Sequence, residues 1–114
     1  MEARVTVFRE YDTLSKLYVL TEKLMDDKAR STVLVAITAR SKEKASDGRL
    51  FYPPEGSVRI IYYGTLDGDL ARKVLVDLYT RFGIENFIAE SVEVMPKNFL
   101  YDLSRSLLAQ RPLP

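Results

Sequence analysis

The side chains able to do chemistry in this chain are lysines, arginines, carboxylates and tyrosines, because its 114 residues include no histidine, cysteine or tryptophan. Thiolate nucleophiles, disulfides and the usual zinc, iron and copper ligands are therefore excluded, as is the residue that most often moves protons near neutral pH. A metal would have to be a hard ion held by oxygens. Asp67 and Asp69, in the turn GTLDGD, are the nearest thing to such a pair, but they lack a third carboxylate and read as ordinary helix N-caps. The same turn matches neither the Walker nor the dinucleotide pattern, and its aspartates repel phosphate where a helix N-terminus would attract it. Glu90 is the one acid-base candidate: on strict alternation it falls with Ile88 and Val92 on a buried face, where a carboxyl pKa rises, whereas a bulge or an edge position makes it ordinary. The expectation is a non-enzymatic protein with no metal and no cofactor.

What remains is basic and aromatic. The segment SKEKASDGRLFYPPE lies between two β-forming runs, TVLVAITAR and SVRIIYYG, and connections of that length are uncommon unless functional or disordered. Its Lys42, Lys44 and Arg49 could hold a phosphate backbone while Phe51 and Tyr52 stack on bases, with Arg40 and Arg59 flanking them. The alternative is a solvated loop pinned by Pro53 and Pro54, because Glu43, Asp47 and Glu55 match the three internal cations. Elsewhere, Arg4, Phe8, Tyr63 and Phe87 have the types that bind single strands: an aromatic face stacks on any base and a nearby cation neutralises phosphate. Most other tyrosines, Tyr62, Tyr79 and Tyr101 among them, are expected to be structural.

These residues need elements to position them. Alternation predicts strands over residues 3–9, 32–40, 57–64 and 87–94. Three- and four-residue spacing predicts helices beginning at Asp12 or Thr13, at Asp67 or Asp69, and at Pro96, the second ending at Gly83. Strand, helix, strand occurs twice, which gives one α+β domain over residues 1–114. The expected fold is a ferredoxin-like βαββαβ sandwich: a four-stranded antiparallel sheet, order 4-1-3-2, with two helices on one face. Residues 41–56 become a long hairpin loop between the second and third strands, 97–110 an added C-terminal helix and 111–114 a tail. The element order from SVRIIYYG onward resembles the ferredoxin-like protein subunit of archaeal ribonuclease P, which implies RNA binding; no residue is carried over. The RNA-recognition signature is absent from the third strand.

In that fold Thr6, Phe8, Leu34, Ala36, Arg59, Ile61, Tyr63, Phe87 and Ala89 share an open sheet face too apolar to stand bare in water. The leading expectation is a small binding module for single-stranded DNA or RNA, acting through this face and the loop. The alternative is a homodimer or a subunit of a larger complex that buries the same face, and a carboxylate and hard-metal enzyme comes third. A net charge of +1 gives no bulk attraction to polyanions, so any attraction must come from local clustering. The chain has no run long and apolar enough to span a bilayer, and its first residues lack a signal-peptide pattern, so a cytoplasmic location with no membrane partner is expected. Two Asn, one Gln and no Cys beside many Lys, Arg and Glu point toward a thermophilic source.

Overall fold

A computed structural model describes residues 2–81 and 95–109. Five helices are present among them: α1 (Glu2–Lys23), α2 (Asp27–Lys42), α3 (Glu55–Gly64), α4 (Leu70–Arg81) and α5 (Lys97–Ala109). No described residue is in a strand. The ferredoxin-like sheet, its 4-1-3-2 order and the α+β class are therefore overturned, and the resemblance to the ribonuclease P subunit falls with them. The fourth expected strand, residues 87–94, lies outside the described residues, as does the tail at 111–114.

The reason is a period misread over short windows. Val5 and Val7 alternate like a strand, yet Val7 is buried and Val5 is 53% exposed, and the buried series continues from Val7 to Tyr11, Ser15 and Tyr18 at steps of three and four. The expected first strand and first helix are thus one helix of 22 residues. In α2 only Val33, Ile37 and Ser41 are buried; Val35, which alternation groups with Val33 and Ile37, is 68% exposed, while Leu34 from the other expected face packs against the core, so the burial follows a helical stripe and not the faces of a strand. In α3, Ser57, Val58, Ile61 and Tyr62 are buried while Arg59 and Tyr63 are exposed, again a helical set. β-branched residues favour strands only weakly, and burial of a contiguous stripe decides the matter.

Local chemistry fixes the ends. Asp26 accepts from Ala29 N at 3.0 Å and caps α2, following Met25, whose φ of 56° makes the reversal out of α1. Arg30 grips Glu22 with two bonds of 3.0 and 3.1 Å from one guanidinium nitrogen, holding α2 antiparallel to α1. Near the other end Arg40 Nε sits 2.9 Å from Glu10 Oε2. Its N–H is not aligned with that oxygen and forms no hydrogen bond, so this contact is one of charge. The connection once expected as a hairpin loop between strands joins two helices instead. It contains a tight turn closed by Ala45 N to Arg49 O at 2.8 Å, with Gly48 at φ 81°, a left-handed geometry suited to glycine.

The core gathers Val7, Tyr11, Tyr18, Val58, Ile61, Tyr62, Leu75, Tyr79, Phe99 and Leu103. Four of these are tyrosines, and each hydroxyl donates to a fixed acceptor: Phe51 O (2.6 Å), Asp69 Oδ1 (2.7 Å), Asp102 Oδ2 (2.8 Å) and, for Tyr79, Pro53 O. Burial pushes all four hydroxyls above their ordinary pKa, so they stay protonated donors. Two of those acceptors lie in the α2–α3 connection, which is how a long irregular segment is tied to α1 and α4.

Candidate nucleic-acid interface

Helices α1 and α3 run side by side and parallel, and their close approach makes the surface of interest. Ser57 Oγ donates to Asp12 Oδ1 at 2.6 Å. One turn beyond α3's middle, a Cβ at Gly64 would lie 2.6 Å from both methyl carbons of Val19. Glycines at 56 and 64, two turns apart, put the same bare face of α3 against Asp12 and Val19. With the core on one side of this seam, the opposite side shows Arg9, Lys16 and Lys23 from α1 and Arg59 and Tyr63 from α3. All five are exposed, and none of the four cations forms an ion pair among the described residues. Arg9, Lys16 and Lys23 recur every seven residues, about 10 Å apart along the helix.

The N-terminal end of α1 also carries a stack. The Arg4 guanidinium lies over the Phe8 ring at 5.2 Å, Phe8 meets Phe51 edge to face at 5.8 Å, and Arg49 covers Phe51 at 5.2 Å. Two pairs of residues from distant parts of the sequence are thereby brought together. Each guanidinium occupies a ring face that a base could take instead, with the cation displaced toward a phosphate. Asp47 holds Arg49 in place through its side chain at 2.9 Å, and the Arg49 backbone N–H, followed by that contact, holds the Asp47 carboxyl below its usual range.

The remaining expected residues divide. Lys42 and Lys44 are exposed and form no ion pair among the described residues, at the end of α2 and just beyond it. Arg40 is spent internally: its side chain is 12% exposed between Glu10 and Glu43. Tyr52 packs edge to face on Tyr79 at 4.9 Å and belongs to the core margin. Phe87 lies outside the described residues. Arg9, Lys16 and Lys23 were not singled out by sequence reasoning. Their seven-residue spacing was the available signal, but it means something only once residues 2–23 are read as one helix.

Elsewhere the polar groups are largely committed. Asp67 pairs with Arg72 at 2.8 Å, while Asp69 accepts from Tyr18 and from Ala71 N, so the two aspartates of the GTLDGD turn serve different partners. Among the described residues no three His, Cys, Asp or Glu side chains group to hold a metal. A groove of about 880 Å³ between α4 and α5 includes Asp67, Asp77 and Asp102 in its lining beside Arg72, Lys73 and Arg105, a balance that does not favour a polyanion. No helix among the described residues is long and apolar enough to cross a membrane. Comparison with protein-family models, curated proteins and solved structures returned no match.

Proposed function

We propose that the protein is a non-enzymatic module that binds single-stranded nucleic acid along the outer side of the α1–α3 pair and over the Arg4, Phe8, Phe51 and Arg49 stack. The observation that carries this reading is the coincidence of unpaired cations with rings: α1 and α3 carry Arg9, Lys16, Lys23 and Arg59, exposed and without ion pairs among the described residues, together with the exposed Tyr63, and Arg4 and Arg49 lie over Phe8 and Phe51. Cations alone would fit any polyanion, and rings alone would suggest a protein partner; interleaved, they match a strand whose phosphates and unstacked bases alternate. A net charge near zero is no obstacle, because the local field is set by the cluster rather than by the whole chain.

Titration of a fluorescent single-stranded oligonucleotide at several salt concentrations tests it. Five phosphate contacts imply log affinity falling with log salt at a slope of roughly −3 to −4, and removing Arg9 or Lys16 should lower that slope by roughly 0.7 each. Absence of binding at low salt, or binding indifferent to salt, overturns the proposal.

A further inference from the structure

The groove between α4 and α5 shares no lining residue with the α1–α3 surface. Thr80 and Ser106 meet at 3.0 Å and join its walls near the C-terminal end of each helix. Further along, the Tyr62 hydroxyl bonds to Asp102 of α5 at 2.8 Å while the Arg72 guanidinium of α4 lies over the Tyr62 ring at 4.5 Å, so α3 fixes the separation of the walls. The enclosed volume of about 880 Å³ falls within the roughly 300–1,000 Å³ of sites for small organic ligands.

Formal charges in the lining balance, but they are not equally committed. Asp67 pairs with Arg72 at 2.8 Å and Asp77 with Arg81 at 3.2 Å, and Asp102 accepts from Tyr62. Arg72 is buried, with its donors spent on Asp67, Thr65 and Tyr62. Lys73 on one wall and Arg105 on the other are exposed and form no ion pair among the described residues. Arg105 also lies over the Tyr101 ring at 5.7 Å, and Tyr101 is 62% exposed, so a free cation and an aromatic face share one patch. We infer that this groove binds a small aromatic carboxylate, its anionic group held by Lys73 and Arg105 and its ring laid against Tyr101 and Val76. A cationic ligand would have to take a carboxylate from its present partner while facing both free cations. A phosphate ester or polyanion would bring several charges beside Asp67, Asp77 and Asp102, whereas one carboxylate matches the two cations left over. The adjacency of guanidinium and ring selects a ligand whose anionic group is bonded directly to a flat body, and Val76, which also packs on the core, gives that body an apolar contact.

Titration of the full chain with naphthoate, followed by proton–nitrogen correlation NMR, tests this, with naphthamide as the neutral isostere. Naphthoate should shift the backbone amides of residues 72–77 and 98–106 in a saturable way, and naphthamide should bind more weakly. Lys73→Gln and Arg105→Gln should each weaken naphthoate by roughly two- to five-fold, the range of an exposed ion pair, while leaving naphthamide unchanged. Asp77→Asn, which removes a negative charge from the lining, should tighten naphthoate, a response that a merely apolar groove would not give. All three positions are exposed, so these changes empty no part of the core, and unchanged spectra away from the groove check that each variant is folded. Equal binding of naphthoate and naphthamide overturns the inference. So does the absence of shifts up to the solubility of the probe, or shifts centred on the exposed Leu17, Leu20 and Leu24 of α1 instead of the groove.

Discussion

Gly64 and Val19 are in contact at a separation that leaves no room for a side chain between α3 and α1: a Cβ built at residue 64 lies 2.6 Å from each Val19 methyl carbon. The position is helical, so ordinary helix preference would favour alanine there. The contact reverses the sign. Gly64→Ala should destabilise by about 2 kcal/mol, the range for overpacking a fitted interior, read as a fall in the urea midpoint at constant slope. Adding Val19→Ala should recover part of that loss, since it removes the atoms that clash. If Gly64→Ala proves stabilising, the close approach is wrong.

Arg72 makes a different closure. Its buried guanidinium donates to Tyr62 O and Thr65 O at 2.9 and 2.7 Å and to Thr65 Oγ1 at 3.0 Å, and it lies over the Tyr62 ring at 4.5 Å. Helix α3 has no cation in its own last turn, so Arg72 supplies the positive charge and donors that a helix C-terminus lacks. Arg72→Ala should cost about 3 kcal/mol because it strands two buried carbonyls. Arg72→Lys should recover little, as an ammonium cannot reproduce the planar fork. Urea titration of both variants checks the order; equal stability of the lysine variant and the parent contradicts it.

These two contacts show where the sequence was legible and where it was not. Helix α4 could be read because Ala71, Leu75 and Leu78 keep one period over three turns, and α5 because Phe99 and Leu103 follow Pro96 at helical spacing. The strand assignments failed at residues 5–7, 33–37 and 58–62, short windows rich in β-branched residues that fit both periods, where only neighbours far along the chain arbitrate. Nothing local to SVRIIYYG reveals that Gly56 and Gly64 receive α1. Arg4, Phe8, Arg49 and Phe51 are each legible by type alone, but the expected fold puts Arg4 and Phe8 at a sheet face and Arg49 and Phe51 in a loop, and nothing in the sequence stacks them together. It is Tyr11 bonding to Phe51 O that brings the loop onto α1.

A paired carboxyl offers a test of electrostatics independent of any ligand. A protonated Glu22 can donate to Asp69, and this, followed by desolvation, lifts the Glu22 carboxyl above its ordinary range despite Arg30. Asp69 is held below its own range: Glu22, Tyr18 and the Ala71 N–H together outweigh its desolvation. A raised folded value contributes stability below the unfolded carboxyl pKa, and that contribution is lost as pH rises through the raised Glu22 value. The depressed Asp69 value works oppositely, contributing above the unfolded pKa and fading as pH falls through the lowered one. At neutral pH the folded protein thus holds the Glu22 charge less favourably than the unfolded chain does, and Glu22→Gln, which keeps an acceptor for Arg30 and gives Asp69 a permanent donor, should stabilise. Solvent screening limits the gain to about 0.5 kcal/mol. Thermal melts at neutral and acid pH should show the gain shrinking toward acid, where the parent is already protonated; a loss at neutral pH would refute the shared bond.

Tyr63 allows the nucleic-acid reading to be tested without disturbing the fold. It is 77% exposed on the outer side of α3, four residues from Arg59 and level with Val19 by the Gly64 contact, so Lys16 and Lys23 lie on the α1 turns to either side. Its removal opens no cavity, and Tyr63→Ala should change the unfolding midpoint little. If bases stack there, the same change should weaken single-strand binding by about 1–2 kcal/mol, roughly five- to thirty-fold, with the salt slope unaltered because no phosphate contact is lost. Arg59→Ala should do the reverse, flattening the slope while costing less affinity at high salt than at low. Phe8→Ala is a poorer probe, since Phe8 also packs on Phe51 and its loss unsettles the loop. Two exposed neighbours on one helix that separate stacking from charge in this way would place the strand on α3. An unchanged affinity in Tyr63→Ala, with Arg59→Ala still reducing the slope, would confine binding to the backbone and remove the preference for single strands.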